Sequence, residues 1–169
     1  MDVGRIANRA FVLGMLAAGT AAQAGPSAMF QARATVVPGC AVEGGGASWG
    51  RLDFGTAPAL WEDEKTAAVA LASDLRIACT PGVVLSMTVD GGHHQAGVRQ
   101  MEEPASGGLV PYRLYSDAGM QEELLPGQAV SLAFADASNV AFALYGRAMI
   151  PGDTAAGTYA DTVTVTINW

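Results

Sequence analysis

The sequence predicts an all-β sandwich, and three features carry that prediction. Short apolar or alternating runs follow one another along the chain, each cut off by Gly, Pro, Asn or Asp, and helical periodicity is sustained nowhere beyond residue 24. The closing residues Tyr159-Ala-Asp-Thr-Val-Thr-Val-Thr-Ile-Asn-Trp169 alternate strictly, with Val163, Val165, Ile167 and Trp169 on one face and Thr162, Thr164, Thr166 and Asn168 on the other. Two cysteines, Cys40 and Cys79, follow what reads as an export signal, so an even thiol count meets an oxidising compartment.

Taken in order, Arg5 and Arg9 form a basic n-region, Ala10 to Ala22 an apolar h-region, and Ala22-Gln23-Ala24 an A-x-A cleavage site. Residues 1–24 are therefore expected to be a signal peptide, and the apolar run falls short of the roughly 20 residues that a spanning helix needs. The remaining 145 residues suit one domain with a sizeable core. Phe30 to Val37 is the first strand candidate, with Phe30, Ala32, Ala34 and Val36 interleaved by Gln31, Arg33 and Thr35. Further candidates are Trp49 to Gly55, Ala68 to Thr80, Val83 to Asp90, Leu109 to Ser116, Gln128 to Ala135, Ala141 to Ile150 and Thr158 to Asn168. Glu62 to Ala72 holds enough Glu, Lys and Ala for a turn of helix, although Leu71, Leu75 and Ile77 beyond it suit a strand better. Asp90-Gly91-Gly92 and Pro81-Gly82 supply turns, Gly44-Gly45-Gly46 and Pro104 to Gly108 read as flexible loops, and Gly92 to Gly108 as one long polar loop.

Cys40 and Cys79 read as a disulfide, which on the chain-entropy model stabilises the fold by about 4 kcal/mol. Two thiols so far apart with no nearby histidine do not match a zinc spacing, so no metal site is expected of them. Removal of Asp2, Arg5 and Arg9 with the signal turns a net charge of −7 into −8. No basic stripe offsets that acidity, and a nucleic-acid partner is excluded. The alternating closing strand needs something to pair its outer edge, while the alternating segment near the start has no evident partner of its own. The chain is expected to lend one strand and to lack another.

An ordered series of short motifs adds a resemblance. Cys40, Leu52-Asp53-Phe54-Gly55-Thr56, Ile77-Ala78-Cys79-Thr80-Pro81-Gly82, Arg99-Gln100-Met101, Tyr112-Arg113-Leu114-Tyr115-Ser116-Asp117, Tyr145-Gly146-Arg147 and Gly157-Thr158-Tyr159-Ala160-Asp161-Thr162-Val163 with a closing Trp169 resemble the spore coat protein U family. That family includes subunits of archaic (Csu-type) chaperone-usher pili. The resemblance implies an incomplete immunoglobulin-like β-sandwich, a pilin fold lacking its last strand, over residues 38–169, preceded by a donor-strand extension over residues 25–37. It implies a periplasmic pilus chaperone, an outer-membrane usher and neighbouring pilin subunits as partners, with strand addition as the polymerising step. Carried onto this chain, the donor strand offers Phe30, Ala32, Ala34 and Val36, with Phe30 and Val36 as anchors. The strand bordering the acceptor groove presents Val163, Val165, Ile167 and Trp169, with an early strand near Cys40 on the other side. Trp169 is further expected to be read by the chaperone. Such a subunit travels through the periplasm to the cell surface and serves in adhesion and biofilm formation.

Catalysis is not expected. The best constellation is Asp90-Gly91-Gly92-His93-His94, but adjacent histidines on a strand point to opposite faces, and the chain holds only two of them. A solvated hairpin tip is the plainer reading. Ser86 has no Gly-x-Ser-x-Gly elbow around it, and no cofactor is implied. The alternative to a pilin is a secreted stand-alone adhesin or carbohydrate-binding β-sandwich, with Trp49, Trp61, Tyr112 and Tyr115 as its aromatic platform.

Overall fold

Eleven strands run in chain order through a computed structural model: β1 (Cys40–Glu43), β2 (Gly50–Arg51), β3 (Asp63–Ala68), β4 (Ala70–Leu71), β5 (Arg76–Cys79), β6 (Leu85–Val89), β7 (Arg99–Glu103), β8 (Gly108–Tyr115), β9 (Ala129–Leu132), β10 (Tyr145–Ile150) and β11 (Val165–Asn168). The structure describes residues 28–44, 48–60, 62–71 and 76–169, and among these no helix occurs. The proposed signal peptide, Trp61 and the middle of the Ala68 to Thr80 strand lie outside the described residues. The chain divides into two units, Met1–Thr35 and Val36–Trp169. In the first, the described residues 28–35 have exposed side chains and no regular secondary structure.

In the second unit two open antiparallel sheets face one another, one ordered β3-β10-β8-β7 and the other β11-β6-β9. Their alternation follows the sequence. Leu85, Met87 and Val89 of β6 point inward while Ser86 and Thr88 point outward, and Val110, Tyr112 and Leu114 do the same from β8. Met87, Val89, Val110, Tyr112, Leu114 and Ala148 then join Leu124 and Leu144 in one core cluster that both sheets share, which makes the unit a sandwich. Smaller ladders, β1 with β5 and β2 with β4, flank it. Gly146 and Ala148 keep the inner face of β10 low, and Leu52 and Phe54 occupy that space. A Cβ on Gly146 would collide with Leu52 and stand 2.9 Å from the Phe54 ring, so the Leu-Asp-Phe-Gly and Tyr-Gly-Arg motifs are two halves of one packing contact.

Two elements differ from the sequence reading. Glu62 to Ala72 holds strand β3 rather than a helical turn, because pairing with β10 from Asp63↔Ile150 to Ala68↔Tyr145 outweighs the helix propensity of Glu, Lys and Ala. It is an edge strand carrying charge, as unprotected edges tend to be. Gly92 to Gly108 is not one polar loop, since it contains β7, paired with β8 from Arg99↔Tyr112 to Glu103↔Gly108. The polar composition hid this strand. Its inward residue Arg99 is charged yet 2% exposed, and its guanidinium is satisfied by main-chain carbonyls.

The closing segment uses both sheets. Glu102 of β7 and Ala160 exchange main-chain hydrogen bonds of 2.9 and 3.1 Å, after which the chain crosses and pairs as β11 with β6. That crossing lays Val163, Val165 and Ile167 against the core.

Candidate functional site: an open sandwich edge

Among the described residues, strand β11 is paired on one side only. Its four residues pair with β6 in the register Val165↔Val89, Thr166↔Thr88, Ile167↔Met87 and Asn168↔Ser86, and no described strand covers the opposite side. Directly opposed residues on the same face have different fates. Met87 and Val89 are each 1% exposed, whereas Ile167 and Val165, one strand away, are only half-buried. The core therefore thins towards β11 and reaches solvent along it.

Strand β1 faces this opening. It pairs with β5 from Cys40↔Cys79 to Glu43↔Arg76, and the far side of β5 is taken by the residues around Val140, whose amide donates to Ile77 O at 2.8 Å. Cys40 and Cys79 are disulfide-bonded, as the cysteine count implied, with the two Cα atoms 4.0 Å apart. Cys40, Cys79, Phe134, Phe142, Leu132 and Ile167 pack half-buried around Ile77, Leu85 and Val140, so β1 and β11 contribute to one apolar cluster that is not sealed. Just outside the two strands, the side chain of Trp169 reaches the residue before β1, for its indole nitrogen lies 3.5 Å from where a Cβ on Gly39 would stand. Trp169 itself is 58% exposed.

The sequence-derived residues separate into two groups. Val163, Val165 and Ile167 share the inner face of the closing segment, with Trp169 at its tip. Phe30 and Val36 are 90% and 93% exposed, and Ala32 and Ala34 are exposed as well. An apolar-alternating segment thus stands in water while an apolar opening lacks a strand.

A polar cluster that sequence reasoning did not assemble lies where the chain crosses between the sheets. Asp161, at that crossing, has a side chain only 2% exposed. Its Oδ2 accepts from the Tyr112 hydroxyl at 2.7 Å, its Oδ1 accepts from the His93 amide at 2.9 Å, and His94 Nδ1 lies 3.2 Å from Oδ1. His94 Nε2 is 3.2 Å from Glu102 Oε2. Gly92, at φ +78, lies against the carboxylate so closely that any Cβ there would overlap it. Burial, together with hydrogen bonding to Asp161, pushes the Tyr112 hydroxyl far above its usual range, so it stays protonated and donates. Asp90 accepts at Oδ1 from the amides of Gly92 and Thr164, at 3.0 and 2.9 Å. Burial works against the Asp90 carboxylate, but those two amides, with the Thr164 side chain and the charge of Arg99, outweigh it and hold its pKa below the usual value. The double histidine is thus no free hairpin tip, since His94 is tied between two carboxylates while His93 remains exposed.

Among the described residues no group of three or more His, Cys, Asp or Glu side chains is arranged to hold a metal ion. The alternative aromatic platform loses its tyrosines to the interior, as Tyr112 and Tyr115 are each 6% exposed and Trp49 is half-buried.

The fold and the opening define a class, a small antiparallel β-sandwich whose core reaches solvent along an edge strand. The model of the Spore Coat Protein U domain matches residues 27–166, and the chain belongs to that family. No curated protein matches the chain significantly. Among solved structures the chain is similar to the CsuC-CsuE chaperone-tip adhesion subunit pre-assembly complex from archaic chaperone-usher Csu pili of Acinetobacter baumannii. That likeness has 20% identity and a TM-score of 0.48, and covers 80% of this chain and 40% of the other. The chain accordingly spans less than half the length of that neighbour.

Proposed function

We propose that the protein is a structural pilin subunit of a chaperone-usher surface pilus and acts without catalysis. The carrying observation is the contrast between opposed residues in the β6–β11 pair, where Val89 and Met87 are sealed and Val165 and Ile167 are not. A strand laid between β11 and β1 would bury that row and hydrogen-bond the free side of β11. Residues 25–37 of a second copy, or of another subunit, have the alternation to fill it, with Phe30 and Val36 as anchors and Ala32 and Ala34 between them. Burying a Phe or Val side chain contributes roughly 1.5 to 3 kcal/mol, and an alanine less. Head-to-tail strand donation does not close on itself and therefore makes a fibre.

Membership of the spore coat protein U family supports the same reading. On this reading residues 1–24 direct export, a periplasmic chaperone occupies the opening first, and an outer-membrane usher exchanges it for the next subunit. The half-exposed Trp169, beside Gly39 at the end of the groove, supplies that chaperone with an aromatic anchor. The finished fibre stands on the cell surface and serves in adhesion and biofilm formation.

The test compares three forms of the mature protein by size and thermal melting: residues 25–37 present, deleted, or fused after Trp169 through a flexible linker. The fused form should be a stable monomer, the native form should polymerise, and the deleted form should do neither. Three monomers with the same melting temperature would show that the sandwich is complete and would sink the reading.

A further inference from the structure

We infer that Asp161 is the register pin of the closing strand, a positioning residue that selects which side chains β11 presents at the open edge. The inference rests on the pilin reading for its functional consequence. Its structural part stands alone.

The need for a pin follows from the sequence of the strand. Sliding β11 by one residue against β6 would turn Val163, Val165 and Ile167 to water, so the hydrophobic pattern forbids it. Sliding by two residues is another matter. Thr162, Thr164 and Thr166 recur at the same period as Val163, Val165 and Ile167, so a slip towards the chain end would land Thr162 and Thr164 on threonine positions and Val163 and Val165 on aliphatic ones, and only the end positions would change type. The pattern of the strand barely distinguishes these registers. Among the described residues only one side of β11 is paired, over four residues, so a neighbouring ladder does not settle the matter either.

Most of the bonds that tether this segment are equally indifferent. Ala160 meets Glu102 through main-chain groups, Asp90 N donates to Thr164 O at 3.0 Å, and the Thr164 amide donates to Asp90 Oδ1. Any non-proline residue would supply those amides and carbonyls. Asp161 is different, because its own side chain is the group recognised. It is nearly inaccessible, and it answers the Tyr112 hydroxyl, the His93 amide and the His94 ring at once. A two-residue slip would replace it with Tyr159 or Val163, neither of which carries a carboxylate, and would leave Tyr112 and His93 without their acceptor. The Tyr112 hydroxyl is buried, and a buried donor without an acceptor is strongly disfavoured. The cluster thus reads the identity of one residue and fixes the phase of the strand that follows it.

Cysteine pairs on the solvent face report the register without disturbing the core. Thr88→Cys with Thr166→Cys joins residues opposed in the observed register, and Thr88→Cys with Thr164→Cys joins residues opposed after a two-residue slip. Disulfides form only between closely opposed positions, so each pair reports one register. In the mature protein the first pair should cross-link and the second should not. Adding Asp161→Ala should lower the ratio of the two yields roughly tenfold, as expected for removal of a charged acceptor from the buried Tyr112 hydroxyl and the two histidine donors beside it, and Asp161→Asn should restore part of it. A lowered melting temperature with an unchanged ratio would make Asp161 merely structural and overturn the inference. Should Asp161→Ala not fold, Tyr112→Phe carries the test, since it keeps the ring and deletes one donor. The ratio must then fall by about threefold, or the inference fails. Because cross-linking reads strand pairing within one chain, a protein that never polymerises would refute the pilin reading and leave the register result intact.

Discussion

At the level of single residues, Arg99 is the most consequential side chain that the sequence disguised. Its Nε donates to Asp90 O at 2.8 Å, its Nη1 to Leu124 O at 2.6 Å and its Nη2 to Val89 O at 3.0 Å. One planar fork thereby ties β7 to the end of β6 and to the segment before β9. Burial lowers its pKa, yet a guanidinium remains charged throughout the working range. Arg99→Met keeps much of the volume and strands three carbonyls, so it should destabilise the fold by about 3 kcal/mol or more, read from the urea midpoint. Arg99→Lys should fall between, because a single ammonium cannot match the fork. An equal midpoint for Arg99→Met would mean that water or backbone shifts replace the guanidinium. Asp90 gives a prediction in pH. Its folded pKa lies below the unfolded value, so its contribution to stability is complete above the unfolded pKa, about 3.9, and is lost as pH falls through the folded value. Acid titration of stability should therefore lose part of its slope below about pH 4 in Asp90→Asn, and an unaltered acid limb would contradict the assignment.

Among the elements, strands with apolar alternation were legible and strands built on polar residues were not. β6, β8 and β10 announced themselves through residues such as Leu85, Met87 and Val110, which a pleated inner face requires. β7 hid because its inward residues include Arg99, and β3 hid because an edge strand carries Glu64 and Lys65 in place of β-branched residues. The open row of the candidate site was legible from Val163, Val165 and Ile167. The cluster at Asp161 was not, since it joins Asp161, Tyr112, His93 and His94 across sequence distances that no local pattern spans. The uneven burial of the β6–β11 pair yields its own prediction. Met87→Ala removes a sealed side chain and should cost about 2 to 5 kcal/mol in folding stability. Ile167→Ala should cost clearly less in the isolated chain, yet, if the proposed strand donation holds, it should weaken capture of a peptide of residues 25–37 by at least about tenfold, because the donated strand would complete its burial. Calorimetry of the variants and fluorescence titration of the peptide measure the two effects. Equal losses in both assays for both variants would mean that β11 is an ordinary core strand.

For the molecule as a whole, the proposed strand donation raises the question of how an unsealed sandwich holds its opening in shape before it is filled. The β6 side is anchored by the shared core, but β1 rests on four residues paired with β5. The Cys40–Cys79 bond, across a sequence separation of 39, compensates for that short ladder. On the chain-entropy model a loop of this length stabilises the folded state by about 4 kcal/mol. Its position adds something that entropy does not capture, because it clamps the first residue of the strand that faces β11. Replacing both cysteines by alanine should lower stability by about that amount. It should also reduce peptide capture beyond what the unfolded fraction explains, since β1 would fray while β6, β8 and β10 keep their core. Measuring capture well below the melting temperature separates the two contributions. If the double variant, still folded, binds the peptide of residues 25–37 as tightly as the oxidised protein does, then β1 is no wall of the groove and the donated strand must seat against β11 alone.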